Sequence, residues 1–197
     1  MPRPYTATSL EQLLAIASPG REAIIDAVGV IGPCTVPELA RSLGRSRHSL
    51  YYHVRALRDC GLLLETQHAG EGKKTAARYD LPGRPVLVRY DLSTPRARRA
   101  VVALGRTRLR AAARDFARAC RPDVSVVEGP RRNLWAAHWQ GWLSDRELEK
   151  ANAHLEALVA LLRPTPGPTN ANRKLHALAF AIAPITPSRR RRASPQN

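Results

Sequence analysis

Between Arg45 and Arg55 the sequence reads RSRHSLYYHVR. It concentrates cationic and hydroxyl groups on a segment that also carries an apolar repeat. Arg45, Ser46, Arg47, His48 and Ser49 come first, then Tyr51, Tyr52 and Arg55. Arginine can donate two hydrogen bonds to the guanine edge in a major groove. Ser and Tyr hydroxyls, and the free N–H groups of a helix start, can hold phosphates. The set therefore suits binding and reading a duplex. The plain alternative is the solvated face of an amphipathic helix. No other cluster promises chemistry: there is no GxSxG, no phosphate loop, no dinucleotide fingerprint and no HExxH or HxxxH. Asp145, Glu147 and Glu149 begin a helix, where acids favour the helix dipole in any case. An enzyme is not expected.

The elements that would position this face follow from capping signals and apolar spacing. Residues 10–17 suit a short helix. A second helix starts at Ser18-Pro19, with Ser18 as N-cap and proline at its first position. TVPELARSLG pairs Thr35 with Glu38 as a capping box, and Gly44 ends that helix. Ser46 can cap the next helix, which runs to about Cys60 before Gly61. On that helix Leu50, Val54 and Leu57 share one side, and His48, Tyr52 and Arg55 lie opposite. Two β-type stretches, LLLETQH and TAARYDL, flank AGEGKK as a hairpin, so that Lys73, Lys74 and Arg78 could lie along a DNA backbone. The order helix, turn, capped cationic helix, basic hairpin is a winged helix-turn-helix, whose second helix enters the major groove by its N-terminus.

Residues 18–81 resemble the ArsR-type winged-helix transcription regulators. The resemblance is carried by SPGREAII, TVPELARSLGRSRHSLYYHVRALRDCGLL and ARYDL, about a third of the chain. It implies a homodimer that occupies a double-stranded DNA operator, commonly as a repressor, with Arg45 through Ser49, Tyr51, Tyr52 and Arg55 as the DNA face. His53 matches a position often occupied by histidine in that family and is read as packing or holding a backbone group. Metal-sensing members carry paired cysteines in the helix before the recognition helix. Here that helix, PELARSLG, has neither Cys nor His, so no metal site and no cofactor are expected.

Charge distribution fits a polyanionic partner. The net charge is +16. Residues 18–81 carry nine Lys/Arg against seven Asp/Glu, residues 82–121 eleven against two, residues 122–163 five against six, and residues 164–197 six against none. The excess thus sits in the middle and the tail. An arginine-favouring genome composition would give a similar total. The three cysteines form no CxxC and no disulfide framework, and no apolar run reaches the ~20 residues of a membrane span. The start lacks a basic region followed by a clean apolar stretch, so no signal peptide is expected. A cytoplasmic protein is the expectation.

Beyond the hairpin, PGRPVLVRYDLS suits a strand, and residues 95–120, rich in Ala and Arg, suit the longest helix. Val102, Gly105, Leu109, Ala112, Phe116 and Ala119 repeat there with near-heptad spacing, as a helix–helix seam would. A broad arginine sector adjoins them. RRNLWAAHWQGWL fits a strand through about residue 140, although its tryptophans also fall at helical spacing. Trp135, Trp139 and Trp142 are read as core or dimer interface, with an effector pocket as the alternative. Ser144 and Glu147 cap a helix striped by Leu148, Ala151, Leu155, Leu158 and Leu162. Residues 174–185 alternate as a strand, and a basic tail closes the chain.

The expected architecture is therefore α+β. Residues 1–81 form the winged helix-turn-helix, 82–94 a linker or strand, and 95–185 a smaller α/β-type dimerisation or effector domain built on the long central helix. Residues 186–197 form a basic disordered tail. The expected function is a sequence-specific transcriptional regulator, with a small-molecule effector as a further partner. The rivals are a non-specific nucleic-acid or nucleoid-binding protein and a winged-helix module for protein interaction.

Overall fold

Local capping chemistry sets most of the helix starts. The computed structural model describes residues 3–68, 76–162 and 174–185. Helix α1 (Leu10–Ile16) opens on a Ser9/Gln12 capping box, α2 (Pro19–Ile31) on Pro19, and α3 (Val36–Leu43) on the Thr35/Glu38 box. Helix α4 (Arg47–Asp59) opens on Ser46, whose hydroxyl accepts from the Ser49 N–H. Ser18 occupies the N-cap of α2 as expected, but its side chain makes no capping bond. Gly44, at φ +60°, ends α3 in the left-handed region. That is a conformation in which a Cβ would be strained, and it makes the tight turn into α4.

Two small sheets complete the fold. Strand β1 (Tyr5–Ala7) pairs in parallel with β4 (Val86–Val88), and β2 (Leu64–His68) pairs antiparallel with β3 (Ala76–Asp80), Thr66 opposite Arg78. Cys34 and Tyr79 exchange backbone hydrogen bonds of 3.0 and 2.8 Å. These tie the hairpin to the segment before α3. The tip with Lys73 and Lys74 lies outside the described residues. The class is α+β: the described residues form six helices and two small sheets, with an N-terminal helix-turn-helix.

The core gathers Leu13 and Ile16 of α1, Ile24 and Val28 of α2, Leu39 of α3, Leu50, Val54 and Leu57 of α4, and Leu62 and Leu63. It continues past Leu81. Helix α5 (Pro95–Ala119) buries Ala97, Ala100, Leu104 and Thr107, and Ala100 and Leu104 belong to the same core cluster. The Thr107 hydroxyl donates to the Ala17 carbonyl at 2.8 Å, and Arg108 pairs with Glu22 at 2.8 Å. Arg84, itself buried, donates to the Val28 carbonyl at 3.1 Å and pairs with Asp80. So β4 and the first half of α5 are built into the N-terminal unit. The stripe Val102, Gly105, Leu109, Ala112, Phe116, Ala119 is not the face that packs there, and Val102 and Leu109 are exposed.

Past α5 the structure departs from the sequence reading. Residues 125–144 hold no strand, and neither do residues 174–185. A strand needs a neighbour to take its backbone hydrogen bonds, and neither sheet offers one there. Trp135, Trp139 and Trp142 are 62, 82 and 90% exposed, so within the single chain they form no core. Helix α6 (Asp145–Leu161) opens on the expected Ser144/Glu147 box but buries none of its residues. No helix among the described residues is long and apolar enough to cross a membrane.

Candidate nucleic-acid interface

The outward side of α4 is fixed by its inward one. Leu50, Val54 and Leu57 are 0–1% exposed. With 100° per residue, that leaves His48, Tyr52 and Arg55 pointing away. Arg45, Ser46, Arg47, His48, Ser49, Tyr51, Tyr52 and Arg55 are all exposed, at the start of α4 and along the sides that its buried stripe leaves free. Two hydroxyls are already engaged: Ser46 Oγ accepts from the Ser49 N–H, and Ser49 Oγ donates to the Ser46 carbonyl at 2.9 Å. Arg58 is turned aside by ion pairs with Asp59 (2.8 Å) and Glu65 (2.9 Å). Arg45, Arg47 and Arg55 form no ion pair among the described residues and keep their donors available.

Arg78 lies elsewhere. Its guanidinium donates to the Pro33 carbonyl at 2.8 Å and stands 3.8 Å from Glu38. It thus ties the base of the hairpin to the start of α3. Glu38 is held by that arrangement as well. The Thr35 N–H donates to it at 2.7 Å and keeps its carboxyl below the ordinary 4.5, the Thr35 hydroxyl and Arg78 adding to the effect.

Sequence reasoning left Arg21 out of the interface because it belongs to α2, a core helix. In space its guanidinium carbon lies 5.8 Å from the centre of the Tyr52 ring. The Tyr52 ring meets His53 edge-on at 5.5 Å. His53 is half-buried, and burial, followed by the charges of Arg21 and Arg45, holds its pKa below the ordinary 6.5.

The thiols show no common site. Cys34 is buried, Cys60 half-buried and Cys120 exposed. Burial, with Glu38 nearby, pushes Cys34 up to about 11, so its thiol stays protonated. Among the described residues no three His, Cys, Asp or Glu side chains come together as metal ligands. A cleft of about 650 Å³ opens beside α1 and α4, lined by Leu10, Glu11, Leu14, Arg21, Asp59 and Arg96. None of the three tryptophans lines it. Trp135 instead carries the Arg132 guanidinium 3.7 Å above its ring.

Comparison with known proteins bears on the same segment. No curated protein matches the chain. Among solved structures, the crystal structure of RV1404 from Mycobacterium tuberculosis is similar at 17% identity, over 76% of this chain and 82% of that one, with a TM-score of 0.29. The sequence model of the helix-turn-helix domain family matches residues 16–67, which run from the end of α1 through α2, α3 and α4 into β2. The match covers about a quarter of the chain and falls on the segment that the fold itself arranges as a helix-turn-helix.

Proposed function

We propose that the protein is a sequence-specific transcription regulator of the ArsR-like winged-helix kind. In this reading it acts as a homodimer, represses by occupying a double-stranded operator, and catalyses no reaction. The observation that carries the proposal is the two-sided α4: three core residues inward, and eight polar or cationic residues, from Arg45 to Arg55, outward at its N-terminal end and along its free face. Side chains at the start of such a helix reach base edges, while hydroxyls and main-chain N–H groups take phosphates. Dimerisation is supported by α5, which is buried along one side and carries Val102 and Leu109 exposed on the other. It is supported further by the uncovered tryptophans and by α6. A small molecule that altered the spacing of the two recognition helices would switch operator occupancy.

The test is competition. The protein's own upstream region is offered against a large excess of random duplex, at fixed salt. Retention on one fragment supports a specific regulator. Equal partition makes the protein a non-specific nucleic-acid binder, and no binding to either leaves α4 as a surface for a protein partner.

A further inference from the structure

Arg21, Arg45 and His53 converge where α4 passes the start of α2. A methyl group on Gly20 would lie 3.2 Å from His53 Nε2 and 3.3 Å from Arg45 Nη1. The two side chains thus meet over Gly20, and Arg21 is the next residue. Among the described residues neither arginine forms an ion pair, and none of the three side chains makes a hydrogen bond. Arg21 Nε and His53 Nδ1 are buried without a partner. Four other arginines of this unit each face a carboxylate: Arg58 faces Glu65, Arg78 faces Glu38, Arg84 faces Asp80 and Arg108 faces Glu22. Bringing two guanidiniums to one imidazole with no carboxylate is unfavourable by charge, and a buried donor without an acceptor costs further. An oxyanion held by the two guanidiniums removes the charge penalty. The group borders the exposed start of α4 directly, through Arg45.

We propose that Arg21, Arg45 and His53 form a clamp for one backbone phosphate of bound DNA, so that α2 as well as α4 holds the duplex and the clamp fixes the angle at which α4 enters the groove. This rests on the DNA-binding function proposed above. In the free protein the charged groups facing His53 are Arg21 from α2 and Arg45 from the turn before α4. Both disfavour its protonated form, and a phosphate between them would favour it.

The experiment measures binding to a random-sequence duplex across a salt series, for the parent and Arg21→Gln, with melting curves for both. Losing one phosphate contact per bound chain should lower the salt slope by about 0.9 and reduce affinity about threefold at moderate salt, alike on random and specific duplexes. On the parent, NMR titration of His53 is followed with the duplex and, separately, with inorganic phosphate. The duplex should raise its pKa, a readout that stands even if Arg21→Gln fails to fold. A parent that binds duplex with the same slope as Arg21→Gln and an unmoved His53 overturns the clamp alone. A shift with inorganic phosphate and none with duplex overturns the assignment to DNA. A parent that binds no duplex overturns the DNA-binding function and the clamp with it.

Discussion

Trp139→Ala is the sharpest test of the second half of the chain. A tryptophan side chain buries roughly 150–250 Å² when fully covered. At 82% exposure, most of that area, about 120–200 Å², is left uncovered by the chain's own fold. Covering it in a homodimer would contribute about 3–5 kcal/mol per copy at ~25 cal/mol per Å², taken as an upper bound. With half of that realised, two copies still supply about 3 kcal/mol, so the alanine variant should dissociate at a concentration more than a hundredfold higher. Sedimentation velocity over a wide concentration range reads this directly, and the parent's melting midpoint should rise with concentration while the variant's rises less. The stability of the monomeric N-terminal unit should hardly change, because removing an exposed side chain leaves no cavity there. Identical sedimentation for parent and variant, with melting independent of concentration in both, would refute the interface.

Three further outcomes are expected. Arg55→Ala and Arg47→Ala should each weaken operator binding by roughly 1–3 kcal/mol while changing random-duplex binding less, as measured by parallel titrations; equal losses would assign them to phosphates. Replacing Lys73 and Lys74 together with alanine should reduce the salt slope by roughly 1.8 per bound hairpin if both touch phosphates, and an unchanged slope would remove them from the interface. Glu38 is held below the ordinary 4.5 in the fold, so its stabilising effect is present above that value and is lost as pH falls through the lower folded pKa. Glu38→Gln keeps the capping-box acceptor and loses only a partly screened charge, so it should cost a few tenths of a kcal/mol at neutral pH and less in acid, and denaturant midpoints at pH 7 and pH 3 check the sign.

What could be read from the sequence was what local chemistry decides. Thr35 with Glu38, Ser46, Gly44 and the Leu50–Val54–Leu57 spacing lie within a turn or two of the groups they bind, and so the helix starts and the buried and exposed sides of α4 were legible. Strand β1 was not. Tyr5-Thr6-Ala7 is too short to show alternation, and its partner Val86–Val88 lies about eighty residues away. The inward side of α5 was hidden for a different reason. Its buried residues are largely small, Ala97, Ala100 and Thr107, in a helix where alanine occurs on every face. The larger Val102 and Leu109 drew attention to the side that stays outside. Arg78 was taken as a free cation of the hairpin because charge is visible in sequence and its engagement with Pro33 and Glu38 is not. The same holds for Arg21, whose neighbour His53 comes from a helix thirty residues on. The tryptophan segment alternates as a strand would, but alternation selects a strand only where another strand is available to pair with it.

The joint between the two halves constrains how any signal could travel. Helix α5 has 25 residues, about 37 Å at 1.5 Å per residue. Its first half is fastened to the α1–α2 junction by Leu104 in the core, Thr107 on the Ala17 carbonyl and Arg108 on Glu22. Its second half runs beyond that unit with Leu109 exposed. In the proposed homodimer the separation of the two α4 helices is then set by how the outer halves of α5 meet, because the inner halves are rigidly joined to the core on which α4 sits. Operator half-sites one helical turn apart require about 34 Å between recognition helices. A tilt of about 10° at the fastened half displaces the far end of α5 by about 3 Å over its remaining ~18 Å. Conversely, in the proposed dimer a repacking of that size at the seam would shift the two α4 helices relative to one another. In that proposed dimer, control would need no contact between an effector and the proposed DNA-reading residues: it would be sufficient to change which residues of the Val102–Leu109–Phe116 stripe are covered.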